Sequence, residues 1–379
     1  PPYFLGSGQG LNVVVLLLES VSNISRQRGS EDSMPNFTSL KERGVYWPNF
    51  YAVQPNSLKS IFSFLSGYYP AADSSQISRV QPRIPIKLLP AYFKERGYRT
   101  AFLHSGTFAY YNKLAFLESR GFDLLLDANS LPGQERYEHS SWGIDDRAVF
   151  DFAAAWALED KVPFLAVISL LLPHHPYDIP AGEPSKFGKQ SMIDKYHSSL
   201  YYLDGLLGEF VEALKAGSIY EDTVFVIFAD HGEAFGQHPH NFMHGAAIYE
   251  ENINVPLLIS SPKLFDSAQV SMTVGSLPDI LPTLCDLMGI KLEGTPLDGV
   301  SLFSPHPKRM VFMSTHLNQD ILGLRDGDYK FIYQPLRNID ELYNLRLDPS
   351  EQENLAPQFP ERVKFYRERA QAWAAYSTS

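Results

Sequence analysis

Asn12-Val-Val-Val-Leu-Leu-Leu-Glu-Ser20 and Thr223-Val-Phe-Val-Ile-Phe-Ala-Asp-His-Gly232 decide the fold between them. Each is a nearly unbroken apolar run that stops abruptly at polar residues. A strand covered on one face alternates apolar and polar side chains. A run apolar at every position is covered on both faces, the habit of a central parallel strand. Working outward, Arg99–Leu103, Pro163–Leu171 and Val255–Ser260 read as further strands. Helical patterns lie between them: Met34–Gly44 with Pro35 early and Gly44 as C-cap, Asn56–Ser66 opening near Ser57 and closing at Gly67, Lys87–Glu95, Asp145–Leu158, Met192–Leu214 and Asp279–Met288. This alternation predicts an α/β fold, a mostly parallel central sheet with helices on both faces. Near residue 300 the pattern changes. Arg309–Ser314, Ile321–Arg325 and Tyr329–Gln334 are short, closely spaced strands, and Arg362–Tyr376 is a helix. They predict a small C-terminal antiparallel sheet with a packing helix. The expected organisation is a catalytic domain over 1–305 and a C-terminal subdomain over 306–379, joined through Ser301–Lys308; Arg79–Pro90 reads as another surface connection.

Composition narrows the function. With 44% hydrophobic and 20% charged residues, the chain is an ordinary globular one and not a disordered one. Lys and Arg number 32 against 43 Asp and Glu, a net charge of −11, with no dense basic run. A nucleic-acid partner, which needs a basic face, is not expected. The one cysteine, Cys285, excludes an internal disulfide framework and a thiolate zinc cluster. It lies on an apolar helix face and reads as a buried thiol. The longest apolar stretches, Val13–Leu18 and Phe164–Pro173, are shorter than the ~18–20 residues that span a bilayer. The chain opens on Pro1-Pro2 without Met, so a mature chain or excised domain is expected, with a signal or membrane region before it.

Ligands of open α/β sheets bind beyond the carboxyl ends of the strands. There the sequence places Glu19, after the first strand, and Asp230-His231, after the strand Thr223–Ala229. Ser57 sits at a helix N-terminus. Carboxylates with an imidazole suit a divalent ion such as Zn²⁺ or Mn²⁺. A metal beside Ser57 would favour its alkoxide, and helix amides would favour an incoming anion. Each piece has a plainer reading. Glu19 alone is a solvated charge, and Ser57 after Asn56 a helix cap. His174, His175, His238, His240 and His244 are surface or core histidines, or together an anion and metal site. His238 and His240 either support a second metal or sit on an exposed loop. His104 is a supporting residue of the site or a buried core histidine. Asn23-Ile-Ser and Asn36-Phe-Thr match glycosylation acceptors, as do many chance triplets.

At this point the chain resembles a sulfatase-type member of the alkaline phosphatase superfamily. The resemblance runs through 12–20, Met34-Pro-Asn-Phe-Thr-Ser-Leu40, the helix Ser57–Gly67, Gly97-Tyr-Arg-Thr-Ala101 and Gly121-Phe-Asp123. It continues through Pro173-His-His-Pro-Tyr177, Asp230-His-Gly-Glu233, Tyr249-Glu250, Val255-Pro-Leu-Leu258 and Leu277–Leu284, and ends on Leu342-Tyr-Asn-Leu-Arg-Leu-Asp-Pro349 with Glu351 and Asn354. The departures are informative. Sulfatases convert a Cys or Ser to formylglycine within a pattern that has Pro or Ala two residues on and Arg four on; here those positions hold Lys59 and Ile61. They also carry paired Asp after the first strand, where this chain has Glu19-Ser20. In these features the chain is more similar to the lipoteichoic acid synthases and phosphoethanolamine transferases. Those are membrane-anchored enzymes with extracytoplasmic catalytic domains, which move a phospho-head group from a phospholipid to a glycan through a phosphorylated Thr.

That resemblance implies one divalent metal (Mn²⁺ or Zn²⁺ before Ca²⁺ or Mg²⁺) held by Glu19, Ser57, Asp230 and His231. It implies Ser57 as nucleophile, His174 in a His-X-Pro position against phosphate or leaving group, and His244 as a substrate-side histidine. Tyr111 and Lys113 fall where the synthases place a Trp and an Arg that contact glycerol phosphate; His175 and His238 are further substrate-side candidates. The implied partners are a phospholipid donor and a glycan acceptor. The implied setting is the periplasmic or extracellular face of a bacterial inner membrane, with the chain monomeric and anchored through a preceding region. Phosphoethanolamine transferases of the known type carry several disulfides in this domain, so the single cysteine favours phosphoglycerol. Two other functions stand beside this one: a sulfatase or phosphodiesterase, and a catalytically silent domain that binds a lipid head group.

Overall fold

The computed structural model describes residues 4–24, 27–28, 31–292, 294, 296–305, 309–317 and 320–378. Its central sheet has nine strands: β1 (Asn12–Leu18), β2 (Gly44–Tyr51), β3 (Arg99–His104), β4 (Leu124–Leu126), β5 (Phe164–Ser169), β6 (Thr223–Ala229), β7 (Asn254–Ser260), β8 (Gln269–Val270) and β9 (Gly275–Ser276). The order across the sheet is β8-β2-β7-β6-β1-β5-β3-β4, and β9 also pairs with β2. Strand β7 runs antiparallel to both its neighbours, β6 and β2; the other pairings are parallel. The sheet is therefore mixed and mostly parallel. Strands β5, β6 and β7 are buried at every position, and β1 at all but Asn12. Successive side chains point to opposite faces, so complete burial means that both faces are covered.

The covering helices include α1 (Pro35–Leu40), α2 (Ser57–Ser66), α3 (Leu89–Lys94), α4 (Asp146–Leu158), α5 (Met192–Ala216) and α6 (Ile280–Leu287). Helix α5 packs on α1 and α4, and α2 packs on α3 and α6. The expected Gly44 cap is not formed. Helix α1 ends at Leu40, a short 3₁₀ turn follows, and Gly44 opens β2 with extended backbone. A Cβ there would meet the Ile259 carbonyl oxygen of β7 at 2.6 Å, so glycine serves close strand approach. Gly67 does close α2, at φ 78°. The acceptor triplet at Asn23 includes Ser25, which lies outside the described residues, as do residues 306–308 of the expected joint.

A second, four-stranded antiparallel sheet follows: β10 (Met310–Thr315), β11 (Ile321–Asp326), β12 (Tyr329–Gln334) and β13 (Ile339–Asn344). Helix α7 (Pro360–Ser377) packs on it, with Trp373 stacked over Phe312 at 5.4 Å. The sheet is fastened to the central body by buried polar bonds. Ser314 N–H donates to the Val53 carbonyl at 2.9 Å and Thr315 Oγ1 to the Gly245 carbonyl at 2.9 Å. Lys330, fully buried, bridges Glu250 at 3.0 Å and Glu351 at 2.8 Å. Removing one partner of such a cluster leaves uncompensated charge in a dry interior. Lys330→Met is therefore expected to cost about 3–5 kcal/mol of unfolding free energy, measured by urea denaturation. No helix among the described residues is long and apolar enough to cross a membrane.

Candidate active site at the ends of the central strands

Strands β1 and β6 are adjacent and parallel, with Leu18 opposite Ala229. The next residue of each chain therefore emerges at the same sheet edge, which brings Glu19 beside Asp230 and His231. One ligand atom from each of these three buried residues lies within 4.8 Å of the others. His231 Nε2 is 3.5 Å from Glu19 Oε1 and 3.3 Å from Asp230 Oδ2. Its Nδ1 is 3.0 Å from the Gly232 carbonyl, which can only accept, so the neutral ring keeps its proton there and presents the Nε2 lone pair to the carboxylates. Burial holds the His231 pKa down, to about 4, in keeping with a neutral ligand. Asp230 is pushed up to about 7, first by burial and then by the Glu19 carboxylate; burial also raises Glu19. Asp230 Oδ2 is buried with no hydrogen-bond partner among the described residues. Two buried carboxylates, an unmet oxygen and an aimed lone pair form a donor set that fits a divalent cation.

Ser20 locks the carboxylates. Its N–H donates to Asp230 Oδ1 at 3.0 Å and its Oγ to Glu19 Oε1 at 2.8 Å, while Tyr196 donates to its carbonyl at 2.8 Å. These bonds hold Ser20 at φ 57°, a conformation uncommon for a side-chain-bearing residue.

Ser57 is the first residue of α2, and it is not the cap. Asn56 caps the helix, accepting from Lys59 N–H at 3.1 Å. Ser57 Oγ is thus left to donate to Glu19 Oε2 at 3.2 Å. The helix is pinned to the cluster by Ser60, whose Oγ donates to the Asp230 carbonyl at 2.6 Å. Lys59 turns away, donating to the Ala71 carbonyl at 2.7 Å. Ile61 is a buried apolar residue in the cavity wall.

A cavity of about 370 Å³ opens over this cluster, within the usual range for small-ligand sites. Glu19, Ser57, Asp230, His174, His244, Tyr111 and Lys113 all line it. His244 stacks on His231 at 4.3 Å and faces Glu233 Oε2 at 3.6 Å. Burial opposes a charge on His244, but Glu233, Glu19 and Asp230 outweigh it and raise its pKa. His174 packs against Trp142 at 4.2 Å and is held lower by burial. Lys113 lies 2.7 Å from His104 Nε2; burial brings the lysine down to about 8 and the histidine well below its ordinary range. His104 is therefore both buried and a wall of the site.

Three candidates lie elsewhere. His238 pairs through Nδ1 with Glu251 at 2.7 Å, approaches the Glu351 carbonyl at 3.0 Å through Nε2 and stacks on Tyr249 at 3.7 Å. Its role is to join the tail to the central body, and both ring nitrogens are committed. His175 packs against Tyr177 and is not among the cavity-lining residues; His240 is exposed. Among the described residues, Glu19, Asp230 and His231 are the one group poised for a metal. Cys285 is a buried free thiol, pushed up to about 12 by burial. The sequence reading missed Trp142, Tyr110, Glu233 and His316. Only Glu233 carried a local signal, its place in Asp230-His-Gly-Glu.

Comparison with known proteins accords with this geometry. The profile described as Sulfatase matches residues 11–290. The choline-sulfatase of Rhizobium meliloti (strain 1021) is 22% identical over 91% of this chain and 82% of its own length. Lipoteichoic acid synthase 1 of Bacillus subtilis (strain 168) is 24% identical over 86% of this chain but 51% of its own, so the chain spans about half of that relative. The crystal structure of the lipoteichoic acid synthase LtaP from Listeria monocytogenes superposes with a TM-score of 0.79 at 20% identity, covering 100% of this chain and 95% of that one. The matched profile runs from the strand that delivers Glu19, through the Ser57 helix and Asp230-His231, to the end of α6. With that match and this fold, the chain belongs to the sulfatase family.

Proposed function

We propose that the protein is a metal-dependent phosphotransferase that moves a phospho-head group, phosphoglycerol in preference to phosphoethanolamine, from a phospholipid to a glycan hydroxyl through phospho-Ser57. The observation that carries this reading is the Ser57 hydroxyl, uncapped at the N-terminus of α2 and bonded to Glu19, with Lys59 turned away and apolar Ile61 where a sulfatase places Arg. That setting suits an unmodified serine nucleophile. Glu19, Asp230, His231 and Ser57 would hold one divalent ion, Mn²⁺ or Zn²⁺ by the chemistry of the donors, which supplies Lewis acidity at the phosphoryl oxygens and lowers the hydroxyl pKa.

The residues divide the work. Glu19 receives the Ser57 proton as Oγ attacks phosphorus, with the amide dipoles of α2 favouring the anion. Lys113 and His174 face the non-bridging oxygens, and protonated His244 supplies a proton to the oxygen of the departing diacylglycerol. Phosphorus is then bound to Ser57 Oγ until an acceptor hydroxyl, or water, displaces it. The setting that matches these substrates is the outer face of a bacterial inner membrane, with the chain acting as a monomer.

The test is the intact mass of the Ser57 peptide before and after incubation with phosphatidylglycerol or phosphatidylethanolamine and Mn²⁺ or Zn²⁺. The expected result is a phosphoglycerol adduct on Ser57. A serine that stays bare while head group is released as fast as lipid is consumed would place the protein among hydrolases. A mass two hydrogens low before incubation would mean formylglycine and sulfate-ester chemistry.

A further inference from the structure

One wall of the cavity comes from the end of the second sheet. Where β10 ends, Thr315, His316 and Leu317 complete the lining. Their position is fixed on two sides, by Ser314 on Val53, three residues before Asn56, and by Thr315 on Gly245, next to His244. This wall therefore stands between the entry to the nucleophile helix and the His244 loop.

His316 is 7% exposed in its side chain, and its Nδ1 lies 2.8 Å from Asp320 Oδ1. A carboxylate accepts, so the neutral ring carries its proton on Nδ1 and its lone pair on Nε2. Nε2 is buried and has no hydrogen-bond partner among the described residues. Nδ1 is paired with Asp320, which is 61% exposed, and His316 is one of the residues that line the cavity. An imidazole oriented at one nitrogen by a carboxylate, with the other nitrogen unpaired, is the arrangement of a general base.

Two other histidines of the site are wired differently, and the carboxylate that faces His244, Glu233, is fully buried. The Nδ1 atoms of His174 and His231 rest on backbone carbonyls, of His175 and Gly232. A carbonyl fixes a tautomer and carries no proton onward. His316 alone among these three has its outer nitrogen on a solvent-exposed carboxylate, and its neighbour Leu317 is 67% exposed at the cavity mouth. A proton taken at Nε2 thus has a way out, on the side from which an acceptor enters.

We propose that His316 is a further catalytic residue, the base that takes the proton of the hydroxyl attacking phospho-Ser57, with Asp320 as its positioning residue. In this step the acceptor O–H bond breaks and its proton passes to Nε2. The acceptor oxygen bonds to phosphorus, and the phosphorus–Oγ bond breaks with its electron pair left on Ser57. The proton then returns to Ser57 Oγ through solvent, so that alcohol and phosphoserine become phosphodiester and serine. This inference rests on the phosphotransferase reading above.

The test separates the two half-reactions. Wild type, His316→Gln and Asp320→Asn are mixed with phosphatidylglycerol vesicles and Mn²⁺, with glycerol as acceptor, and phospho-Ser57 is followed by intact mass through formation and discharge. His316→Gln is expected to form the adduct at the wild-type rate and to discharge it about 10²–10³-fold more slowly, so that the adduct accumulates. Asp320→Asn, at an exposed position, should slow discharge about tenfold and guards against a folding defect in the buried variant. Imidazole should restore part of the discharge in His316→Gly. Unchanged discharge in both variants, or formation and discharge slowed together, would overturn the role of His316 alone. No adduct on wild type with any donor would instead overturn the phosphotransferase reading, and this inference with it.

Discussion

Ser57→Ala is expected to lower turnover by roughly 10⁴–10⁶-fold, the scale on which removing a nucleophile acts, because among the described residues the hydroxyl bonded to Glu19 Oε2 is that of Ser57. The neighbouring serines are committed: Ser20 to Glu19 and Asp230, and Ser60 to the Asp230 carbonyl. The same variant should keep its fold. The capping bond belongs to Asn56, and Ser57 contributes a single partly buried hydroxyl bond to Glu19. The change in stability is therefore expected to stay within about 1 kcal/mol. Parallel measurement of head-group release and thermal midpoint gives the decisive contrast. Turnover within tenfold of wild type would refute Ser57 as the nucleophile. Joint loss of activity and midpoint would report a structural serine.

Removal of the divalent ion should abolish activity, and its rebinding should depend on pH in a defined direction. In the metal-free protein Asp230 titrates near about 7, raised by burial and by Glu19. A raised folded-state pKa means that the protonated form is favoured; its stabilising contribution is complete at low pH and is lost as pH rises through about 7. A metal binds the ionised form, so below that point it must displace one proton from Asp230. His231 is already neutral above about 4 and releases none. The dissociation constant for Mn²⁺ is thus expected to tighten about tenfold per pH unit from roughly pH 5 to 7 and then to level off. Titration calorimetry in buffers of different ionisation enthalpy should show about one proton released at pH 6 and almost none at pH 8. At one hundred times its dissociation constant the ion should stabilise the fold by about 2.7 kcal/mol. An affinity independent of pH across that range would show that Asp230 is not a ligand.

Much of this is legible in the amino-acid sequence, for a physical reason. β1 and β6 are apolar at nearly every position because both faces are covered, and their polar ends fall at one sheet edge once the strands pair. Local pattern therefore put Glu19, Asp230 and His231 at strand ends, and the family resemblance made them a ligand set. Strand β2 was not legible. Its pairing with β7 shifts register between Trp47 and Phe50, around Pro48, which breaks the two-residue period that marks a strand. Strand β13, Ile339–Asn344, was hidden by its acidic residues, although Glu341 is buried against Tyr249 and Tyr343. His238 misled for the opposite reason. It lies in sequence beside the site, and only the packing of the tail, with Glu351 against its ring, takes it out. His316 is the converse, remote in sequence and brought to the cavity by the docking of a second sheet.

That seam has a consequence for the order in which the protein is made. Translation supplies Glu19, Ser57, Asp230 and His231, and the strands that carry them, well before Thr315, His316 and Leu317 exist. The ion-binding half of the pocket is thus specified by early sequence, and its last wall by late sequence. Lys330 and Glu351, which clamp that wall in place, come later still. A nascent chain passes through a stage in which its cation ligands are present and its pocket is still open along one side. Only when the tail emerges and seats on Glu250 is that side of the cavity walled.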